Sequence, residues 1–354
     1  MRAGPAGHHG GGAGHGNGPN PTGRRPHGGP SSRQGASVIP VVGGRGCGRP
    51  ALGVAAIVID EDGWPNLFIV GAARSGTTSL HRHLAGHPEV HMSEPKEPHF
   101  FSDAGTDPRG LVLRVTDPVA YRRLFAGANG KTIVGESSTS YAWDPNAPRR
   151  IHRKSPDAKI ILIARNPIER AFSHYLMGVR EGLESGSFSE ALARDERRTE
   201  KGWGVSRLYV ELGMYCDAVI RFRETFGEDR VRVLVFEEMA RDTEQTLREV
   251  CEFLGIDPGG VSAEGLDTAH NAYGAPRNRA FARLLGSSRW VGIRRRLPSR
   301  VRKFFRYRLL LRTGGKPSPD PAARKLLRDK YLPEVRRLEE VLGRSMPWPD
   351  FSGG

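Results

Sequence analysis

Residues 67–79 read LFIVGAARSGTTS, an apolar run that closes on a glycine and passes into a loop of small residues. Next comes SLHRHLAGHP, with Leu80 and Leu84 four apart and Gly86 and Pro88 behind them as stop signals. The order is strand, loop, helix, which commits the chain to a layered α/β arrangement. KIILIA (159–164) and RVRVLVF (230–236) are further runs of strand length, the first apolar enough to be buried on both faces. In TEQTLREVCEFLG (243–255), Leu247, Val250, Cys251 and Leu254 fall at i, i+3, i+4 and i+7, and Gly255 supplies the stop. Strands alternating with amphipathic helices predict a mostly parallel sheet flanked by helices. With 354 residues, one α/β domain plus tails is the expected organisation.

A net charge of +15 suggests a nucleic-acid partner until it is located along the chain. Residues 1–59 carry six arginines and no acid, and residues 281–316 carry twelve Arg or Lys and no acid, so subtracting those charges leaves −3 for the rest. A slightly acidic body with two basic segments is not a surface built for DNA, and no nucleic acid is expected as a partner. Residues 1–60, rich in Gly, Pro, His and Arg, read as a disordered tail. The three cysteines show no CxxC spacing, and no apolar run approaches the roughly 20 residues that span a bilayer. No compact signal peptide stands at the start. A cytoplasmic location follows as the expectation.

In an open parallel sheet, ligands bind beyond the carboxyl ends of the strands, where helix N-termini present unpaired N–H groups. GAARSGTTS (71–79) stands at such a place. Gly71 and Gly76 let the backbone curl, Arg74 supplies charge, and Thr77, Thr78 and Ser79 add hydroxyls at the first helical turn. A P-loop would read GxxxxGK[ST], but Thr77 occupies the lysine position. The strand 159–164 is followed by Arg165 rather than by the aspartate that helps to hold Mg²⁺. What remains is an anion loop without a magnesium site, and no metal is expected.

A second candidate is IARNPIERAFSHY (163–175), in which Arg165 ends the strand, Pro167 pre-sets a helix start and Ser173 lies two turns in. An arginine directly ending an apolar strand needs an anionic partner. Arg170 reads either as a further contact or as a solvated helix charge.

GxxRSGTT resembles the 5'-phosphosulfate loop of the sulfotransferases that use 3'-phosphoadenosine-5'-phosphosulfate (PAPS), and 163–175 resembles the 3'-phosphate segment of the same family. The resemblance implies a P-loop NTPase-like sulfotransferase fold over residues 61–354. It also implies PAPS as co-substrate with 3',5'-ADP as product, and donor binding by Arg74, Ser75, Gly76, Thr77, Thr78, Ser79, Arg165 and Ser173. HNAYGAPRNRAF (270–281) resembles a late basic loop closing over the 3'-phosphate, with Arg277 as its first candidate contact and Arg279 as the second. SEPKEPHFF (93–101) resembles the segment of heparan-type members that carries the general base, which implies Glu97 as base, His99 as its catalytic neighbour, and Glu94 and Lys96 on the rim. Arg74 would stabilise the leaving phosphate. Those members carry a lysine after the glutamate of a strand like TIVGE (132–136), whereas this chain has Ser137, which argues against a heparan-like acceptor. A small molecule, glycan or lipid is the expected acceptor. The basic stretch 281–316 is expected to be a lid or insertion, its segment 289–312 suited to a solvated helical lid or to peripheral contact with an anionic membrane, and 321–345 the C-terminal helix.

Overall fold

The computed structural model describes residues 63–103, 114–181, 183–184, 186–203, 207–260, 274–276, 311–313 and 317–352. The tail 1–60, Arg277 and most of the basic stretch 281–316 lie outside the described residues. The described elements run β1 (Leu67–Gly71), α1 (Thr77–Ala85), β2 (Val90–Met92), α2 (Pro118–Arg123), β3 (Ile133–Ser137), α3 (Ala147–His152), β4 (Lys159–Ala164), α4 (Pro167–Arg180), α5 (Phe188–Glu196), α6 (Cys216–Phe226), β5 (Val231–Val235), α7 (Phe236–Arg241) and α8 (Thr243–Leu254). The short strands β6 (Gly274–Pro276) and β7 (Leu311–Thr313) and the long helix α9 (Pro321–Leu342) complete them.

Five strands form one sheet in the order β2-β3-β1-β4-β5, and every pairing in it is parallel. The runs read from the sequence as strands are thus β1, β4 and β5. Side chains alternate between the two faces with period 2. Leu67, Ile69, Ile133, Ile161 and Ile163 point to the face covered by α1 and α8, where they meet Leu80, Leu84, Leu247, Val250 and Leu254. Phe68, Val70, Val134, Ile160 and Leu162 point to the opposite face and pack with residues of α3, α4, α6 and α9. Each fully buried Leu, Ile or Phe contributes roughly 1.5–3 kcal/mol, so these two layers hold the sheet.

Helix termini follow the local chemistry. Asn166 caps α4 by accepting from the backbone of Ile168 and Glu169, with Pro167 in the first turn. Gly255 and Gly343 end α8 and α9 in left-handed conformation. The final helix therefore stops at Leu342, a few residues short of the expected 345. The segment after it folds back on the sheet edge, where Trp348 Nε1 donates to Glu237 (2.9 Å) and Asn166 Nδ2 donates to Asp350 (2.8 Å).

Of the basic segment 289–312, residues 311 and 312 are the described ones. The end of the basic segment 289–312 is not helical: β7 pairs antiparallel with β6, Ala275 facing Arg312. Three consecutive extended residues held by a partner strand cannot continue a helical face. Among the described residues, no helix is long and apolar enough to cross a membrane.

Candidate active site at the carboxyl edge of the sheet

Each strand of the sheet delivers one part of the site at its carboxyl end. In spatial order these are the segment 93–101 after β2, the turn 138–143 after β3, the loop 72–76 after β1, Arg165 and α4 after β4, and Phe236 with Met239 after β5. Backbone hydrogen bonds extend the sheet ladder into these loops: Glu97 N–H donates to Ser137 O (2.9 Å), Ser138 N–H to Ile69 O (3.1 Å), Ala142 N–H to Val70 O (3.0 Å) and Ala72 N–H to Ile163 O (3.0 Å).

The anion loop leads into α1, which begins at Thr77 with Gly76 as its cap residue and no capping side chain. Gly76 is required twice over. Its φ is +89°, and a Cβ there would come within 2.5 Å of Met239 and 2.8 Å of Phe236. The amides of Thr77 and Thr78 are left for a ligand, while that of Ser79 donates to the Gly76 carbonyl (2.9 Å), and the positive end of the helix dipole points with them. Ser75 Oγ is buried without a hydrogen-bond partner among the described residues.

Arg165 stacks its guanidinium on the Phe236 ring, 4.5 Å from the centroid, and donates from Nη1 to the carbonyl of Arg74 (2.7 Å). Its Nε is buried and unpartnered among the described residues. Arg74 reaches across to α4, with Nε and Nη2 each 3.3 Å from Ser173 Oγ. The two anion segments read separately from the sequence are therefore one assembly. Burial and the guanidinium groups of Arg180, Arg165 and Arg170 push the Arg74 pKa down to about 10, with the Glu97 carboxylate pulling the other way. A cluster this crowded with positive charge, holding orphaned buried donors, fits a polyanionic ligand.

Arg170 is not a solvated charge. It is fully buried, and its Nη2 donates to the Tyr209 carbonyl, tying α4 to the chain around residue 209.

On the other side of the anion loop, Glu97 lies between Lys96, His99 and Thr139. Lys96 Nζ is 2.6 Å from its Oε1, His99 Nε2 is 3.5 Å from its Oε2, and Thr139 Oγ1 donates to Oε1 at 3.4 Å. Lys96 is only 17% exposed and pairs with Glu97, so it is part of the site rather than its rim. Burial alone would raise the Glu97 pKa, but the His99 hydrogen bond and the Lys96 ammonium hold it down at about 2. His99 is itself buried, its Nδ1 2.7 Å from Ser140 Oγ and its ring 5.7 Å from that of Trp203. With Nδ1 accepting from that hydroxyl, Nε2 carries its hydrogen toward Glu97.

Beneath this pair sits a fully buried carboxyl group, Glu136, which receives hydroxyl donations from Tyr121 (2.7 Å), Tyr141 (2.7 Å) and Ser138 (2.6 Å). Burial pushes its pKa up while the three hydroxyls oppose the shift. Ser138 Oγ in turn accepts from the His99 backbone N–H (3.0 Å). Ser137, standing where a lysine would argue for a heparan-like acceptor, bonds instead to His81 Nδ1 at 2.8 Å.

Four non-glycine residues among the described ones have φ in the left-handed region, and three of them are Arg74, Glu97 and His99. Such a backbone costs roughly 1–3 kcal/mol per residue and persists only where the surroundings enforce it, which is typical of functional sites. Sequence reasoning missed Thr139, Ser140, His81 and Trp203. The cluster STS at 138–140 beyond a strand end was the signal for two of them.

Three comparisons agree on what this arrangement resembles. The sulfotransferase domain model matches residues 65–273. Carbohydrate sulfotransferase 15 of Mus musculus is 26% identical over 261 residues, covering 58% of this chain and 46% of that protein. Heparan sulfate glucosamine 3-O-sulfotransferase 6 of Homo sapiens is 26% identical over 289 residues, covering 80% and 74%. The crystal structure of a sulfotransferase from Alicyclobacillus acidocaldarius superposes with a TM-score of 0.60 at 32% identity, covering 80% of this chain and 97% of that one. The chain spans about half the length of the carbohydrate sulfotransferase 15 proteins it matches.

Proposed function

Because the chain belongs to the sulfotransferase domain family, we propose that it transfers a sulfuryl group from PAPS to an acceptor hydroxyl or amine and releases 3',5'-ADP. The observation that carries this reading is the Arg74–Ser173–Arg165 assembly, in which Arg74 bonds to Ser173 and its own carbonyl accepts from Arg165. A nucleotide with anionic groups at both its 5' and 3' positions suits two anion segments joined in this way. On the donor side the amides of residues 76–78, with the hydroxyls of Ser75, Thr77, Thr78 and Ser79, would take the 5'-phosphosulfate, and Arg165 with Ser173 the 3'-phosphate. Arg277 is retained in the proposal as a further 3'-phosphate contact.

In the reaction, a lone pair of the acceptor oxygen forms the new O–S bond while the S–O bond to the 5'-phosphate breaks. The electron pair leaves on 3',5'-ADP, and the acceptor proton passes to the Glu97 carboxylate. Transfer of this kind has a loose transition state, with charge flowing to the leaving group, so positioning and charge neutralisation dominate. Arg74 is assigned to that developing charge. A sulfuryl group carries less negative charge than a phosphoryl group, so guanidinium groups suffice and the proposal includes no metal. Glu97 is ionised at neutral pH and ready to accept, while His99 and Thr139 orient it. Entry of an acceptor that displaces Lys96 from Glu97 would raise the basicity of the carboxylate at the moment it is needed. Glycan acceptors, which the names of the relatives indicate for those proteins, belong to the range considered. A cytoplasmic location is part of the proposal, supported by the buried free thiols of Cys216 and Cys251, a state that a reducing compartment preserves.

The test is thermal stabilisation of the full chain by 3',5'-ADP against 5'-ADP and against ATP with Mg²⁺. Ligand at 100 times its Kd adds about 2.7 kcal/mol. Selective stabilisation by 3',5'-ADP is the expected result; stabilisation only by ATP with Mg²⁺ would overturn the reading.

A further inference from the structure

The segment after α9 returns to the carboxyl edge of the sheet and closes around the residues that frame Arg165. Trp348 is fully buried there, its ring 6.4 Å from that of Tyr215. Asp350 accepts from Asn166 Nδ2 (2.8 Å) with one oxygen and from Arg324 (2.5 Å) with the other. Both polar groups of the peptide between Arg165 and Asn166 are also held by side chains. Its carbonyl accepts from the Tyr215 hydroxyl (2.8 Å), and its N–H donates to Glu237 (3.0 Å).

Glu237 divides its two oxygens between partners. Oε1 takes the Asn166 N–H, and Oε2 accepts from Trp348 Nε1 (2.9 Å). In the chain it follows Phe236, whose ring carries the Arg165 guanidinium. Burial pushes the Arg165 pKa down, and the Glu237 carboxylate is the charge that most opposes that shift. Yet the two are not paired. Arg165 donates from Nη1 to the Arg74 carbonyl, and its buried Nε has no partner among the described residues. Closing the pair would gain a charge-assisted hydrogen bond and satisfy a buried donor, so something opposes it. The indole does. Its N–H can only donate and, once buried, takes an acceptor, and the one it takes is the Glu237 oxygen not already used by Asn166.

We infer that Trp348 is a positioning residue for the donor: its indole N–H holds the Glu237 carboxylate off Arg165 and so keeps the buried Arg165 Nε open for the 3'-phosphate. The inference rests on the reading of Arg165 as the 3'-phosphate contact. It gives the segment after α9, which touches no assigned donor contact directly, a part in telling a 3'-phosphorylated nucleotide from one without that group.

The experiment compares 3',5'-ADP with 5'-AMP, which differ only in the 3'-phosphate, by calorimetry on the full chain. Wild type should bind 3',5'-ADP roughly a hundredfold more tightly, which tests the donor reading by itself. Trp348→Phe keeps an aromatic ring and removes the N–H. It should weaken 3',5'-ADP about tenfold and leave 5'-AMP within twofold of wild type, which also certifies the fold. Trp348→Phe combined with Glu237→Gln carries the same cavity without the competing charge, and the amide oxygen still serves Asn166. In that double variant 3',5'-ADP affinity should return to within about threefold of wild type, a recovery that lost packing alone would not give. Should Trp348→Phe not fold, replacing Trp348 by β-(3-benzothienyl)alanine, which fills the same volume and lacks only the N–H, gives the same comparison. Unchanged 3',5'-ADP affinity in the single variant, equal weakening of both nucleotides, or no recovery in the double variant overturns the role of Trp348 and leaves the donor reading standing. Wild-type protein that binds the two nucleotides alike removes Arg165 as the 3'-phosphate contact, and the inference with it.

Discussion

The guanidinium of Arg74 and the hydroxyl of Ser173 are in contact across 99 residues of sequence, with Nε and Nη2 sharing one oxygen. Arg74 therefore stands midway between the places assigned to the two phosphate groups of the donor. A hydrogen bond to a charged group contributes about 1.5–3 kcal/mol. Ser173→Ala should weaken 3',5'-ADP binding at least tenfold by calorimetry, because it removes a ligand donor and releases Arg74 from its position. Arg74→Ala and Arg165→Ala should abolish measurable transfer while the melting temperature moves by only a few degrees. A larger drop would mean that these arginines hold the fold rather than the donor.

Glu97 and Lys96 give a prediction with a defined direction. The carboxylate is the active form of the base, and without acceptor its pKa is held at about 2, so wild-type kcat/KM should show no Glu97 limb above pH 4. In Lys96→Met the ammonium is gone, and the acid limb of kcat/KM, which reports the free enzyme, should move upward toward the ordinary carboxylate range, becoming visible between pH 3.5 and 5 as a loss of rate with falling pH. Glu97→Gln should lower kcat by about 10²–10⁴ with 3',5'-ADP affinity within twofold of wild type. Wild-type turnover in Glu97→Gln would refute the base assignment.

His81 links stability to pH. Burial, together with the Lys96 charge, pushes its pKa down to about 4, below the unfolded value near 6.5. The unfolded chain therefore binds a proton that the folded chain refuses. Stability is full above pH 6.5 and falls as pH drops from 6.5 to 4, by roughly 3 kcal/mol from this group. His174, also pushed down, chiefly by burial, adds to the same slope. Chemical denaturation across that range should show the decline, and His81→Gln, which keeps a hydrogen-bonding side chain for Ser137, should flatten it.

Gly76→Ala tests the loop itself. The left-handed φ of Gly76 costs an alanine roughly 1–2 kcal/mol, and the new methyl meets Met239 and Phe236 inside ordinary contact distance. The variant should melt several degrees lower and lose 3',5'-ADP binding together. Retention of binding at wild-type affinity would show that the loop tolerates distortion and that the site does not depend on its curl.

The sheet was readable because its signals are local. β1 and β4 are near-continuous apolar runs, β5 is a β-branched run broken only by Arg232, and α8 carries its burial in residues three and four apart, so neighbours in sequence carry the information. β2 escaped because Val90–Met92 is too short to show a period. At the site, Arg74, Arg165 and Ser173 were legible from motif spacing, but the contact between them was not, since it depends on β1 and β4 lying side by side. The same holds for Lys96 beside Glu97 and for Ser140 beneath His99. Arg170 could not be read at all: a charged residue on a helix looks solvated until the packing of α4 against the chain near Tyr209 is known. Glu136 was visible only as part of a strand, and its role as the acceptor of three hydroxyls emerges from residues 15, 5 and 2 positions away.

The turn after β3 bears on how such a site changes over time. Its backbone is pinned to the sheet at Ser138 and Ala142, while the side chains of Thr139 and Trp143 project where no donor contact is assigned. Selection on these few positions can redraw acceptor preference while the neighbouring donor loop stays under separate constraint. A library randomised at 142 and 143, which leaves the Thr139 contact to Glu97 in place, puts that separation to the test.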